Sequence, residues 1–290
     1  MSVAICLLGF GEVGQTLVTD LRAKAALKAW DLKFTDSSSA PSLAAKRLDV
    51  SAARDARSAV ADVDLVVSAV TAAQTGEAAR VVAPLLKRGA WYFDLNSTSP
   101  AAKRAAAAMV DSAGGRFVEA AIMSPIAPRR VASPMLLGGA HAKDFLPLAK
   151  ELGFTGAQAF SEQLGAASAA KMCRSVIIKG LEALMLESLM TARKFGVEQA
   201  VLDSLQSTTP VEGWRTQGRY MISRALIHGR RRAEEMREVA RTVAEAGLTP
   251  RMSDACADWQ EWAADHSAAA EDGLEKMLDT LLAQRHEAAT

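Results

Sequence analysis

Short apolar runs alternate with alanine-rich helical patterns over the first half of the chain. The runs Val3–Gly9, Leu32–Asp36, Val63–Val70, Tyr92–Asn96, Phe117–Ile122 and Met135–Gly138 have strand length and few polar interruptions. Segments between them, such as Gly14–Ala25 and Thr75–Lys87, place apolar residues at helical spacing. Strands that are apolar on both faces, separated by helices, predict a parallel sheet covered on both sides, because each crossover lays a helix on the sheet.

The pattern changes between Gly153 and Gly165. Beyond it no strand pattern recurs. A long helix is expected from about Ala166 to about Lys194, with Leu181, Leu184, Leu186, Leu189 and Met190 giving a wide apolar face and Gly196 as its stop. Further helices are expected at Glu198–Leu205, Trp214–Ile227, Ala233–Ala246, Ser253–Ala264 and Gly273–Gln284, with turns at Ser207–Pro210 and Thr249–Pro250. The expected architecture is an α/β domain at 1–163 and an all-α domain at 164–290, joined by the long helix.

Composition narrows the function classes. Half of the residues are hydrophobic, 23% are charged and the formal net charge is +1. No basic excess points to nucleic acid. No apolar run approaches the roughly 20 residues of a bilayer helix, so no membrane partner is expected. The start of the chain runs directly into the first strand pattern, without a basic leader, so no secretory signal is expected. Three cysteines, Cys6, Cys173 and Cys256, cannot all pair, which fits a reducing, cytoplasmic location. Histidines and carboxylates show no metal-ligand spacing, and no metal is expected.

The first strand leads into Gly9-Phe10-Gly11-Glu12-Val13-Gly14, followed by a helical pattern with Leu17, Val18 and Leu21. Strand, G-x-G-x-x-G and helix is the arrangement a dinucleotide requires. The first glycine makes a tight turn, the second lets backbone approach the pyrophosphate, and the third lets helix and strand pack closely. The first domain is therefore expected to be a Rossmann domain. Asp36, read as the end of the second strand, stands where an acidic residue binds ribose hydroxyls. Its charge would repel a 2′-phosphate, which favours NAD over NADP. The alternative is a turn aspartate before Ser37-Ser38-Ser39. Val70 and Thr71 end another strand and are assigned to the cofactor, with a plain helix start as the alternative.

Three further segments follow in order. The first is Asp94-Leu95-Asn96-Ser97-Thr98-Ser99-Pro100. The second is Glu119-Ala120-Ala121-Ile122-Met123-Ser124-Pro125, leading to Leu136-Leu137-Gly138-Gly139. The third is Gly165 with Lys171 six residues on. Together with the glycine turn they resemble the β-hydroxyacid dehydrogenase superfamily, which includes 3-hydroxyisobutyrate and 6-phosphogluconate dehydrogenases. The resemblance covers nearly the whole chain. It implies that Asn96 and Ser97 occupy the Ser-Thr positions of a D-x-S-T-x-S-P loop touching substrate and nicotinamide. It also implies that Lys171 is the acid/base residue. The chain departs from the pattern at Met123-Ser124-Pro125, where the family has a glycine-rich carboxylate loop. Pro125 offers no N–H, so Ser124 is the candidate substrate contact there. It departs again at Arg174-Ser175, where the family has an asparagine pair, and at Glu234, where a second family lysine would fall. These departures resemble a branch with its own C-terminal domain.

Lys171 sits among Ala166, Ala167, Ser168, Ala169 and Ala170. On a core-facing helix an unpaired ammonium is costly, so it needs a partner or a task. The alternative is an exposed helix lysine. Arg174, three residues on and on about the same face, is a candidate for a substrate carboxylate or phosphate, with an ordinary surface arginine as the alternative. Lys179 is read as structural, and Arg230-Arg231-Arg232 as a solvated face. The functional expectation is hydride transfer between NAD(P) and a small β-hydroxy acid or its carbonyl counterpart, with Lys171 as general acid/base. The helical domain is expected to serve a small anionic substrate and to make a homodimer. Imine or ketone reduction on the same scaffold, or a non-catalytic dinucleotide sensor, remain as alternatives.

Overall fold

The computed structural model describes residues 3–208, 213–271 and 273–287. The chain divides into two compact units, Met1–Met172 and Cys173–Thr290. The division falls inside the long helix rather than at 163/164.

In the first unit the elements follow in the order β1 (Val3–Leu8), α1 (Glu12–Leu21), β2 (Ala25–Trp30), α2 (Ala40–Arg47), β3 (Ser51–Ala52), α3 (Ala56–Val60), β4 (Leu65–Ser68), α4 (Thr75–Val82), β5 (Trp91–Asp94), α5 (Pro100–Ser112), β6 (Arg116–Ile122), β7 (Met135–Gly138), α6 (Ala142–Leu152) and β8 (Ala157–Ser161). Among the described residues one eight-stranded sheet forms, in the order β3-β2-β1-β4-β5-β6-β7-β8. Strands β1 to β6 pair in parallel, whereas β7 runs antiparallel to β6. Alternation along β1 sends Ile5 and Leu7 into one apolar layer with Leu17, Leu21 and Phe145. Cys6 and Leu8 enter the opposite layer with Val60, Val82 and Val110. Each fully buried aliphatic side chain of this kind contributes about 1.5–3 kcal/mol, so burial on both faces sets the register of the strand.

Three expectations are corrected. The second strand is Ala25–Trp30, not Leu32–Asp36; Leu32–Thr35 is a 3-10 turn. Ala25–Trp30 buries few of its side chains fully and carries Lys28, so it gives no continuous apolar run. Strands β3 and β8 were not expected; both are edge strands with largely exposed side chains.

α7 (Ala166–Lys194) has the expected limits and carries the chain from the first unit into the second. The second unit is helical: α8 (Glu198–Thr208), α9 (Trp214–Glu245), α10 (Arg251–Asp265) and α11 (Leu274–Glu287). The turn expected at Ser207–Pro210 is contradicted at Ser207 and Thr208, which lie in α8, and otherwise reaches residues outside those described. α9 is one helix of 32 residues rather than two. Gly229, which looks like a breaker, is needed for packing: a Cβ there would lie 2.3 Å from the Gln260 carbonyl oxygen of α10. Leu186, Leu189, Ile222, Leu226, Leu278 and Leu281 form the core of this unit.

Candidate active site

Because β1 to β6 are parallel, the loops after β1, β2, β4, β5 and β6 all leave the same edge of the sheet, where open α/β sheets bind ligands. The glycine turn lies there. Gly9 has φ +89°, and a Cβ on it would lie 2.5 Å from the Ala69 carbonyl oxygen. No other residue fits between β1 and β4 at this point. A Cβ on Gly11 would meet nothing within 4 Å, so the backbone of the turn faces open space. Gly11 is the N-cap of α1 and supplies no side-chain cap. A glycine turn facing open space at an uncapped helix start fits a pyrophosphate, whose charge is stabilised by backbone N–H groups and the helix dipole.

The turn is braced from β2. Gly9 N–H donates to the Trp30 carbonyl at 2.9 Å, and Phe10 N–H donates to the Asp31 carboxylate at 2.8 Å. Asp31 therefore holds the strand-end acidic position, 20 residues after Gly11. Asp36 does not. It is exposed and accepts from the Ser38 hydroxyl and amide, which hold its carboxyl below the ordinary aspartate value. The turn reading of Asp36 is thus the one the structure shows. The ring of Phe10 is buried edge-on against Phe34 and supports the turn from beneath. Glu12 is exposed, and Val13 is half-buried against the core.

Asn96 ties β4 to β5. Its Oδ1 accepts from Val70 N–H at 2.7 Å, and its Nδ2 donates to Ser68 Oγ at 3.0 Å. Buried in this way, Asn96 shapes the rim of the site more than it reaches out of it. Thr71 is exposed and opens a 3-10 turn. The Ser97 hydroxyl is buried with no hydrogen-bond partner among the described residues. A buried hydroxyl without a partner is costly, and a ligand on this loop would satisfy it. Ser124, half-buried, donates its hydroxyl to the Pro125 carbonyl at 3.1 Å.

Behind the loops lies a buried ionic cluster that sequence reading missed. Lys103 on α5 approaches Asp94 Oδ1 at 3.3 Å, and both side chains are fully buried. Burial pushes the Asp94 and Glu119 carboxyls up, against the pull of the Lys103 ammonium. Lys103 also donates to the Asp94 carbonyl at 3.1 Å, and so locks the exit of β5 into the Asn96–Ser99 loop.

The opening turn of α7 is fastened to this edge. Ser168 Oγ donates to the Thr98 carbonyl at 2.8 Å. Ala167 packs with Ala121 and Leu136, and Met123 and Ala170 lie against the same cluster. Lys171 follows one turn after Ser168 on the same helix face and is half-buried. Arg174, one further turn on, is exposed.

In the second unit the arginine run is not a uniform solvated face. Arg232 is buried in an ion pair with Glu182, and Lys179 pairs with Glu235. Arg230 and Arg231 are exposed, and Arg230 pairs with Glu261 and with Asp265 at 2.6 Å. Lys179 is structural, as expected. Its carbonyl accepts from the Cys256 thiol at 3.1 Å, and burial pushes that thiol up to about 11. No described helix is long and apolar enough to cross a membrane.

Comparison with known proteins agrees with this architecture. Residues 192–263 match a domain of unknown function (DUF1932). A conserved hypothetical protein from Sinorhizobium meliloti is 37% identical, with 97% of this chain and 96% of that chain covered at a TM-score of 0.74. The 3-hydroxyisobutyrate dehydrogenase of Mycobacterium tuberculosis, solved with L-serine, shares the fold at 20% identity, with 97% and 99% covered and a TM-score of 0.74. The V8 variant of an imine reductase from Myxococcus stipitatus, solved with NAD+, shares it at 19% identity, 97% and 100% covered, with a TM-score of 0.58. Residues 4–160 match the family described as the NAD binding domain of 6-phosphogluconate dehydrogenase, which is more than half of the 290 residues, and the chain belongs to that family.

Proposed function

We propose that the protein is an NAD-dependent oxidoreductase that interconverts a small hydroxy acid and its carbonyl form, with Lys171 carrying the hydroxyl proton. The observation that carries this reading is the Ser168–Thr98 hydrogen bond at 2.8 Å. It places the turn bearing Lys171 beside the loop that leaves β5, at the sheet edge that also holds the glycine turn.

The Gly9–Gly14 turn would hold the pyrophosphate, and the Asp31 carboxylate the ribose hydroxyls. A bound nicotinamide supplies the two-electron hydride exchange. What remains for the protein is one proton at the substrate hydroxyl. Lys171 takes it during oxidation and returns it during reduction. A lysine can do this near neutral pH when a partly desolvated site destabilises its ammonium form. The Ser97 hydroxyl donates to the substrate, and Arg174 is the residue of the helix suited to an anionic substrate group. Asp31 disfavours a 2′-phosphate by repulsion, which makes NAD the preferred dinucleotide.

A second reading is reduction of an uncharged imine or ketone. Two observations favour it: the Met123–Pro125 loop has no glycine, and the Ser124 hydroxyl is turned onto the Pro125 carbonyl. Incubating the protein with NAD or NADP and a panel of small hydroxy acids, and in reverse with ketones and cyclic imines, separates the two. Reduced nicotinamide appearing with a hydroxy acid supports the first reading. Turnover confined to imines and ketones replaces it with the second.

A further inference from the structure

We infer that Glu119 positions Lys171 by capping α7 from the sheet; the inference rests on the proton-carrying role proposed for that lysine. Helices usually take an N-cap from a Ser, Thr, Asp or Asn next in sequence. Here Gly165 precedes the helix and has no side chain to offer. The acceptor comes instead from β6, 46 residues away: Glu119 Oε1 accepts from Gly165 N–H at 2.8 Å and from Ala167 N–H at 3.2 Å. A negative charge at this end of a helix is further stabilised by its dipole.

The sheet is built to admit this carboxylate. Glu119 pairs with Gly138 across β6 and β7, and a Cβ on Gly138 would lie 2.2 Å from Glu119 Oε1. Glu119 Oε2 is buried with no hydrogen-bond partner among the described residues, so the group acts through one oxygen. Glu119 thus fixes α7 along its axis, while the Ser168–Thr98 bond fixes its rotation. Lys171 stands four residues past Ala167, about 6 Å along the helix, so an error at the cap is carried to the ammonium. A misplacement of about 1 Å in a catalytic group can cost about a hundredfold in rate.

The experiment compares wild type, Glu119→Ala and Glu119→Gln. The carboxamide keeps an oxygen acceptor for both N–H groups and fills the same space. Glu119→Ala is expected to lower kcat about a hundredfold with NAD affinity unchanged, and Glu119→Gln to restore most of it. Acylation of Lys171 by acetic anhydride across a pH series, followed by peptide mapping, reads the lysine without turnover. Its titration is expected to shift in Glu119→Ala and to return in Glu119→Gln. Wild-type Lys171 acylation in Glu119→Ala, or equal impairment of both variants, overturns the inference. In the wild-type protein the Gly165 and Ala167 amides should exchange slowly with deuterium, and rapid exchange overturns it whatever the variants do. Normal turnover by Lys171→Ala would instead end the proton-carrier reading and leave the Glu119 cap standing.

Discussion

The Asp31 carboxylate accepts the backbone N–H of Phe10 at 2.8 Å, so the acidic residue that follows β2 is hydrogen-bonded to the glycine turn that follows β1. It accepts from Lys33 N–H as well, at 2.9 Å. Two backbone donors fix the carboxylate before any ligand arrives, and a fixed charge discriminates better than a mobile one.

Replacing Asp31 should therefore change cofactor choice rather than the fold of the sheet. Asp31→Ser removes the charge facing a 2′-phosphate and weakens the ribose contact. Hydrogen bonds to charged groups contribute about 1.5–3 kcal/mol, so NAD affinity should fall about ten- to a hundredfold while NADP affinity holds or rises. Calorimetric titration of each dinucleotide checks this. An unchanged NAD to NADP ratio would remove Asp31 from the ribose site. Asp36→Ser should leave both affinities as they were.

The buried pair of Arg232 and Glu182 yields a stability prediction. Arg232→Met leaves the Glu182 carboxylate buried, with the Gln260 amide at 3.5 Å as its remaining contact on α10. Breaking one side of a buried pair costs about 3–5 kcal/mol, whereas replacing both partners by apolar residues is often neutral. Urea unfolding followed by tryptophan fluorescence should show Arg232→Met strongly destabilised and the double variant with Glu182→Leu close to wild type. Equal loss in both would mean that packing, not charge, holds α7 to α9.

Glu119 also predicts a pH dependence. Burial raises its carboxyl above the unfolded value, against the pull of Lys103 and the two α7 amides. Folding thus favours the protonated form. The contribution is fully present below the ordinary glutamate range and is lost as pH rises through the raised value. Glu119→Gln carries no such titration. Its melting temperature relative to wild type should rise steadily from acidic to neutral pH. A constant difference would show that the carboxyl titrates as it does in the unfolded chain.

Legibility in the sequence followed the strength of each local signal. α7 was readable from end to end, because Gly165 and Gly196 bracket an unbroken helical pattern. β2 was hidden, since Ala25–Trp30 is alanine-rich, partly exposed and interrupted by Lys28, and so continues the pattern of α1. That error put the strand-end acidic position at Asp36, although the usual spacing of about 20 residues from the glycine turn points to Asp31. The expected break between Ile227 and Ala233 is bridged by α9, where Gly229 packs against the Gln260 carbonyl of another helix. The place of Lys171 near the start of α7 was legible from that helix's pattern. The Glu119 cap, the Lys103–Asp94 pair and the Ser168–Thr98 bond were not, because each depends on a partner that only the fold brings near.

The proton-carrier role of Lys171 is tested most directly by the pH profile of kcat/KM for Lys171→Ala, with NAD binding measured on the same protein. The account predicts unchanged NAD affinity and turnover lowered about a hundredfold or more, with loss of the ionisation that limits wild-type activity toward acidic pH in the direction of oxidation. Turnover and pH profile equal to wild type, with NAD bound as before, would contradict it.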